Sequence, residues 1–549
     1  MKKADKEEIH KLALAQFKVA SDEDLNEHEE YKKDTKFAIN DGGCQWPTDI
    51  RTARQDKQTG YRPCLVLNKI PEKIDQVEGE FRQLRPAIKV RAVDSDADPN
   101  IAEIKGGIIR HIEYQSDART AYNTAHSSTL YGGRGAWEID VIENENDPFV
   151  KDIVVKRNPN VSSIYWDMNA KEMDKSDSEY MFIIADLTDK EYKKRYPNKD
   201  VREMIADDMR QYWLPQDPTA GGSNIRIAKY WWKEKEDKIF YRVKRGDTEI
   251  TVIKKQKGDT VIEEKVVKQS VVRWCIINGR EILDGPHDWA GKYIPIVVEI
   301  GKEVNIGGKQ KTRGMVRFAK EPQQMYNYWS SAVTEQIALS PKAPYLISSK
   351  MLGPHQARWD VAHQKNFFYL LYEPDPQAPM AAPKREMPPQ LSTALANELM
   401  RAEHDIMSAM NIYQASLGDE GQEKSGKAII ARQKQGSIGS FTYTDNFQTA
   451  LIYSTKIILD LIPYVYDTER IVKILGDDDS EKEVPINARE NAPFMADFQN
   501  TNEELLVKDS EGYINDMSKG TYDVRVTIGP SYTTQRQEAL EMLVALAEK

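Results

Sequence analysis

An α+β fold is predicted for this chain, and three observations predict it. Apolar residues recur every three or four positions at 98–125, 315–339, 391–413 and 425–466, which is helical spacing. From Gly132 to Ile300 the pattern is mainly alternating and β-branched, the mark of strands. Two of the helical segments are separated by residues 341–390, where nine prolines exclude any long helix.

The chain has 549 residues, enough for about two to four domains with real cores. Ten Trp, 26 Tyr and 13 Phe argue against bulk disorder, because disordered chains are poor in aromatics. No apolar run approaches the ~18–20 residues of a membrane span, and Met1–Glu8 holds no signal-peptide core, so a soluble intracellular product is expected. Cys44, Cys64 and Cys275 are far apart and form no C-x-x-C, so they read as buried or half-buried thiols. A formal charge of −10 lacks the basic footprint of a protein that grips nucleic acid.

Residues 3–35 are charge-dense, with Ile9, Leu12, Leu14, Phe17 and Leu25 among them, and read as one or two surface helices. Phe37–Trp46 turns through Asp41-Gly42-Gly43. Residues 62–69 form a short apolar run entering a helix at Pro71–Leu84, and Arg85–Val93 alternates as a strand. Ile101, Ile104, Ile108 and Ile112 place Asp98–Ala125 on a helix. Strands are expected at 135–142, 152–156, 180–184, Ile225–Trp232, Lys238–Val243 and Val271–Ile277, with helices at Lys190–Tyr196 and Val201–Trp213 and an exposed hairpin over 244–268. Met315–Leu339 is helical, and Pro322 kinks it or marks its start. Its residues Met325, Trp329, Val333 and Ile337 repeat at the period of one buried face. Lys365–Tyr372 is the best strand of the proline-rich stretch, with Tyr345–Ile347 placed to pair with it. Leu391–Tyr413 and Ser425–Tyr466 are helical, the latter with Gly436 and Gly439 as kink sites. Arg470–Leu475 and Glu481–Asn487 form a hairpin, and Tyr522–Ile528 is a strand. Thr534–Ala547 starts a helix that is expected to run on past Lys549.

Gly421–Ala428 is one residue short of a phosphate-binding loop. Position 428 is Ala where Ser or Thr would ligate magnesium, and a helix precedes it where a strand belongs. Ile457-Ile458-Leu459-Asp460 imitates a magnesium-holding strand but sits in helical periodicity. Asp94-Ser95-Asp96-Ala97-Asp98 resembles a calcium loop without its glycine or twelfth-position Glu. His28-Glu29-Glu30-Tyr31-Lys32 lacks a second zinc-binding histidine, and the remaining histidines show no ligand spacing. Gly132-Gly133-Arg134-Gly135 reads as a turn. No cofactor or metal is assigned. Lys424, Lys427, Arg432 and Lys434 cluster at a helix start, as salt-bridging surface residues or as contacts for a phosphate backbone.

A set of short motifs spans the chain. These are Phe37 with Gly43-Cys44-Gln45-Trp46, Arg62-Pro63 with Asn68-Lys69-Ile70, and Gly79–Pro86. Further on come Asp147-Pro148-Phe149 with Asn158-Pro159, then Arg313–Arg317, Pro341-Lys342-Ala343-Pro344, Gly426–Gln433, and Tyr522-Asp523-Val524 with Gly529-Pro530-Ser531. In this order they resemble the portal proteins of tailed double-stranded-DNA bacteriophages, closest to the short-tailed, podovirus-like branch.

That resemblance implies a non-enzymatic ring, usually of twelve subunits, at one capsid vertex of the virion, assembled in the host cytoplasm. Double-stranded DNA would pass through it during packaging and ejection. The terminase large subunit, a tail adaptor, and major capsid and scaffolding proteins would dock on it, with no membrane involved. Carried over, the wing takes 1–312 and 427–530, the stem 313–340 and 391–414, the clip 341–390, the tunnel loop 415–426, and the start of a crown 531–549. Gly418, Asp419, Gln422, Glu423 and Lys424 would face the DNA, with Lys427, Arg432 and Lys434 as further contacts. Tyr345, Trp359, Phe367 and Tyr369 would anchor partners on the clip, and Met325, Trp329, Val333 and Ile337 would pack the stem. Two other readings stay open: a P-loop nucleotidase or motor using Gly421–Ala428, and another structural virion protein such as a head–tail adaptor.

Overall fold

The computed structural model describes residues 3–56, 62–94, 97–144, 147–199, 210–213, 224–245, 248–252, 260–339, 345–362, 365, 367–375, 382–385, 393–412, 438–476, 480–489, 506–507 and 512–530. Helices and strands mix along it, as an α+β class requires. The chain opens on a single helix, α1 (Lys3–Ile39), followed by α2 (Thr48–Arg54), α3 (Ile70–Gln83) and β1 (Leu84–Ala92). Next come α4 (Pro99–Gln115), α5 (Ala118–Gly132), β2 (Arg134–Glu143), β3 (Lys151–Arg157), β4 (Ile164–Trp166) and β5 (Tyr180–Thr188). Asp98 caps α4 by accepting from Asn100 N at 2.7 Å, with Pro99 at the first helical position. Then follow α6 (Asp189–Arg195), α7 (Arg210–Trp213), β6 (Asn224–Arg245), β7 (Thr248–Val252), β8 (Thr260–Ile277), β9 (Ile282–Asp288), β10 (Ile296–Ile300), β11 (Lys302–Ile306) and β12 (Lys309–Arg313). The proline-rich part lies between α8 (Lys320–Leu339) and α11 (Thr393–Ala409), and holds β13 (Tyr345–Leu346), α9 (Ser349–Leu352), α10 (Gln356–Asp360) and β14 (Lys384–Arg385). The described chain closes with α12 (Ile438–Val465), β15 (Arg470–Leu475), β16 (Glu481–Ile486), β17 (Ala488–Arg489), β18 (Tyr513–Ile514) and β19 (Tyr522–Pro530).

Two compact units result: Met1–Thr35 with Ile74–Arg317 and Gln414–Lys549, and Lys36–Lys73 with Phe318–Tyr413. In the first, β10-β2-β3 form an antiparallel sheet, and β1 pairs antiparallel with β19. Helices α4, α5 and α12 share one core with this sheet, built on Trp137, Ile139, Val155, Phe447, Leu451 and Ile458. Burying each such side chain contributes about 1.5–3 kcal/mol. Trp137 Nε1 donates to Ser454 Oγ at 3.0 Å, so its one polar atom is satisfied inside the core. The larger sheet runs β4-β5-β6-β8-β9, with β7 on the far end of β6.

A buried ion network holds α1 in this unit. Arg134, on β2, grips Asp24 with both Nη atoms at 2.7 Å, and its Nε donates to Thr312 Oγ1 at 2.9 Å. Its guanidinium also lies 4.7 Å from the Trp166 ring centre. Lys311 Nζ and Thr312 N both donate to Glu27 at 2.9 Å, and Arg317 Nε donates to Asp34 at 2.5 Å. Asp24, Glu27, Asp34 and Arg134 are all buried, so each charge depends on its partner. The glycine cluster beside them serves close packing. Gly133 takes φ 92°, and a Cβ on Gly135 would lie 2.0 Å from Ala125 O.

Several expectations change. Asp98–Ala125 is not one helix: α4 and α5 break at Ser116-Asp117, where Asp117 adopts φ 48°. Ile225–Trp232 and Lys238–Val243 belong to one long strand, β6, which pairs with β8 along its length and turns into β7 at its end, so strands run well beyond the hairpin expected over 244–268. Tyr345–Leu346 pairs with Lys384–Arg385, and residues 367–374 form no strand. The β11–β12 hairpin was not anticipated; Gly307 and Gly308, both at positive φ, make its two-residue turn. Cys44 is exposed rather than buried, while Cys64 is half-buried and Cys275 buried.

Candidate functional site

In the second unit, α8 begins at Lys320, so Pro322 stands in its first turn and marks its start. Residues 62–69 lie along this helix as a strap, without helix or strand of their own. Leu65 N donates to Ser331 Oγ at 2.9 Å, Leu67 N to Asn327 Oδ1 at 3.0 Å, and Lys69 N to Gln323 Oε1 at 3.0 Å. The match is geometric. Two residues of extended chain advance about 6.6–6.8 Å, and four residues of helix rise about 6.0 Å. The amides answer back: Gln323 Nε2 donates to Leu67 O at 2.9 Å, and Asn327 Nδ2 to Gln45 Oε1 at 3.0 Å. At the fourth step the strap carries Pro63, which has no N–H. There Glu335 accepts from Arg54 Nη2 at 2.8 Å and pairs with Arg62 at 3.4 Å.

The buried face of α8 is therefore Gln323, Tyr326, Asn327, Ser330 and Ser331. This corrects the expected buried stripe. Met325 is 46% and Ile337 55% exposed, and Trp329 and Val333 are half-buried. The polar side chains face inward because the strap supplies donors there, which leaves Met325 and Ile337 on the exposed side. Helix α11 packs on α8, burying Ala402 and Ile406, and Lys69 Nζ reaches Glu403 at 3.4 Å.

A second surface lies in the proline-rich part. Tyr345 and Trp359 meet edge to face at 5.0 Å, and Trp359 Nε1 donates to Leu371 O at 2.8 Å. Arg385 covers the Tyr345 ring at 5.3 Å. These two expected anchors are thus engaged within the unit and order it. Phe367 is half-buried, whereas Tyr369 is exposed together with Leu346, Phe368, Leu371 and Tyr372. Of this run, Phe368 is the fully exposed ring. The aromatic run itself was the available signal for Phe368 and Tyr372.

Gly418, Asp419, Gln422, Glu423, Lys424, Lys427, Arg432 and Lys434 lie outside the described residues, as does the rest of Gly421–Ala428. The imitation of a magnesium-holding strand is resolved: Ile457–Asp460 is helical, and Asp460 Oδ2 accepts from Lys292 N at 2.8 Å. Asp94 and Asp98 serve the backbone, Asp94 accepting from Thr521 N at 3.0 Å and Asp98 capping α4. Among the described residues no cluster of His, Cys, Asp or Glu is arranged to hold a metal ion, and no helix is long and apolar enough to cross a membrane.

These features define a structural class: a mixed α+β chain whose second unit exposes Met325 and Ile337 of α8 and one aromatic patch. The chain belongs to the family of phage P22-like portal proteins, whose profile matches residues 14–549. It is also 24% identical, over 542 residues, to the portal protein of Acyrthosiphon pisum secondary endosymbiont phage 1; the match covers 93% of this chain and 72% of that one. Its function is that of a phage portal protein, within a structural family.

Proposed function

We propose that copies of this chain close into a ring, usually of twelve, at one capsid vertex of the virion. Double-stranded DNA passes through that ring during packaging and ejection, without catalysis by the ring itself. In this reading 313–340 and 391–414 form the stem, 341–390 the clip, 415–426 the tunnel loop, and 1–312 with 427–530 the wing. The crown starts at 531–549. The clip receives the terminase large subunit and later a tail adaptor, and capsid and scaffolding proteins surround the wing. Assembly takes place in the host cytoplasm.

The observation that carries the reading is the outward stripe on α8. A helix that turns Gln323, Asn327 and Ser331 inward while Met325 and Ile337 stay exposed is suited to neighbours of its own kind. Acidity supports passage: about −120 over twelve copies disfavours tight phosphate contacts. Electron microscopy of the purified chain tests the proposal, with rings around an open centre expected and single particles without a hole opposing it. ATP turnover lost on Lys427→Ala would favour a motor instead.

A further inference from the structure

The first unit holds a cavity of about 660 Å³ that the ring reading does not use. It lies where the end of α3, the turn from α4 to α5, α12 and the β15–β16 hairpin meet. Phe81, Tyr122 and Phe447 line it and are buried. Phe447 meets Phe81 edge to face at 4.8 Å and Tyr122 at 5.8 Å, and His126 stacks on Phe81 at 3.8 Å, so the rings hold one another in place. The cavity is open to solvent, since Arg82, Tyr114, Asp117 and Arg119 of its lining are exposed. A pocket of this size, with aromatic walls and a few convergent polar groups, has the form of a small-molecule site.

Glu113 is the polar group among the rings. Its carboxyl accepts from Tyr122 Oη at 2.6 Å and, among the described residues, forms no ion pair. The other charged groups around the cavity are engaged. Arg110 Nε donates to Leu475 O at 2.7 Å, Arg82 Nη2 to Glu78 Oε2 at 3.4 Å, and Arg119 Nη2 to Arg82 O at 2.9 Å. Asp117 accepts from Thr120 Oγ1 at 2.6 Å, and Glu481 pairs with Lys473 at 3.8 Å. Burial therefore favours the neutral Glu113 carboxyl, and a cation entering the cavity would favour the charged form. A metal ion would need several oxygen ligands, which one carboxyl among rings does not supply. An ammonium group on an apolar body fits both parts: it donates hydrogen bonds to the carboxyl and is attracted to ring faces.

We infer that this cavity binds a small organic cation, a primary ammonium group on an apolar body, with the ammonium on Glu113 and the body against Phe81, Tyr122 and Phe447. The site is independent of the ring reading, and its failure would leave that reading standing.

Isothermal titration calorimetry of the purified chain with hexylamine and with benzylamine tests it. Both amines should bind, and binding should tighten about tenfold or more from acid to mildly alkaline pH, because Glu113 must be ionised to hold the cation. Just below neutral pH, binding should release a proton, read as a heat that changes with the ionisation enthalpy of the buffer. Hexanol, with the same apolar body and no charge, should bind about tenfold more weakly than hexylamine or worse. Glu113→Gln keeps a carbonyl for the Tyr122 hydroxyl; it should weaken hexylamine about tenfold and remove both the pH dependence and the proton release. Hexylamine binding that is unchanged in Glu113→Gln, matched by hexanol, or equal at acid and alkaline pH would overturn the inference. So would the absence of binding at millimolar amine.

Discussion

The backbone N–H of Leu67 donates to Asn327 Oδ1 at 3.0 Å, while the Asn327 amide donates to Gln45 Oε1 at the same distance. One fully buried side chain thus joins the strap, α8 and the turn after α1. This seam is polar in a place where helix packing is usually apolar, and it decides which side of α8 faces outward.

Asn327→Leu should therefore destabilise the chain although it adds apolar volume. It leaves the part-buried Leu67 N–H and the buried Gln45 side-chain carbonyl without this partner, at about 1–3 kcal/mol each. A loss of about 3 kcal/mol in denaturant unfolding is expected. Met325→Ser, on the exposed side, should change the same measurement by less than about 0.5 kcal/mol.

Arg134→Met should free α1. Asp24 would be left buried and uncompensated, a loss of about 3–5 kcal/mol. Limited proteolysis should then cut within α1, and Asp24→Asn added to Arg134→Met should restore part of the protection.

On the proposed clip, Phe368→Ala with Tyr369→Ala should leave the melting temperature unchanged, since both rings are exposed. Binding of the proposed tail adaptor should weaken tenfold or more, as measured by surface plasmon resonance. Trp359→Ala should instead lower the melting temperature, because it removes the ring packed on Tyr345 and the bond to Leu371 O.

A half-buried carboxyl and a buried imidazole predict opposite pH dependences. Burial raises the Glu113 carboxyl to about 7, although the Tyr122 hydroxyl donates to it at 2.6 Å. Its protonated form is favoured by folding, so its stability contribution is complete below about pH 4.5 and is lost as pH rises through 7. Glu113→Gln should remove that loss, giving on the order of 2 kcal/mol above pH 7. Burial lowers His28 to about 4, so its contribution is complete above pH 6.5 and is lost as pH falls toward 4. His28→Asn should flatten the acid limb. Melting temperatures of the two variants from pH 4 to 8 check both signs.

Much of this architecture was legible. Alternation found β1 and β19, and Pro322 gave the start of α8 as one of two readings, a kink being the other; such signals act within one element. The orientation of α8 was not legible from its apolar period. Gln323, Asn327, Ser331 and Glu335 repeat at four residues as regularly as Met325, Trp329, Val333 and Ile337 do. What selects between the two faces is the strap, more than 250 residues away in sequence. Likewise the expected partner of Tyr345–Ile347, the run Lys365–Tyr372, gave way to Lys384–Arg385. Long-range partners, rather than local propensity, set both outcomes.

The central claim is that this chain works as a closed ring of identical copies. Native mass spectrometry of the purified chain tests it most directly. With a protomer of 62.9 kDa, a closed twelve-fold ring appears at about 755 kDa, with Met325→Ser and Ile337→Ser together shifting material toward single chains. A stable 62.9 kDa species at every concentration tried would contradict it.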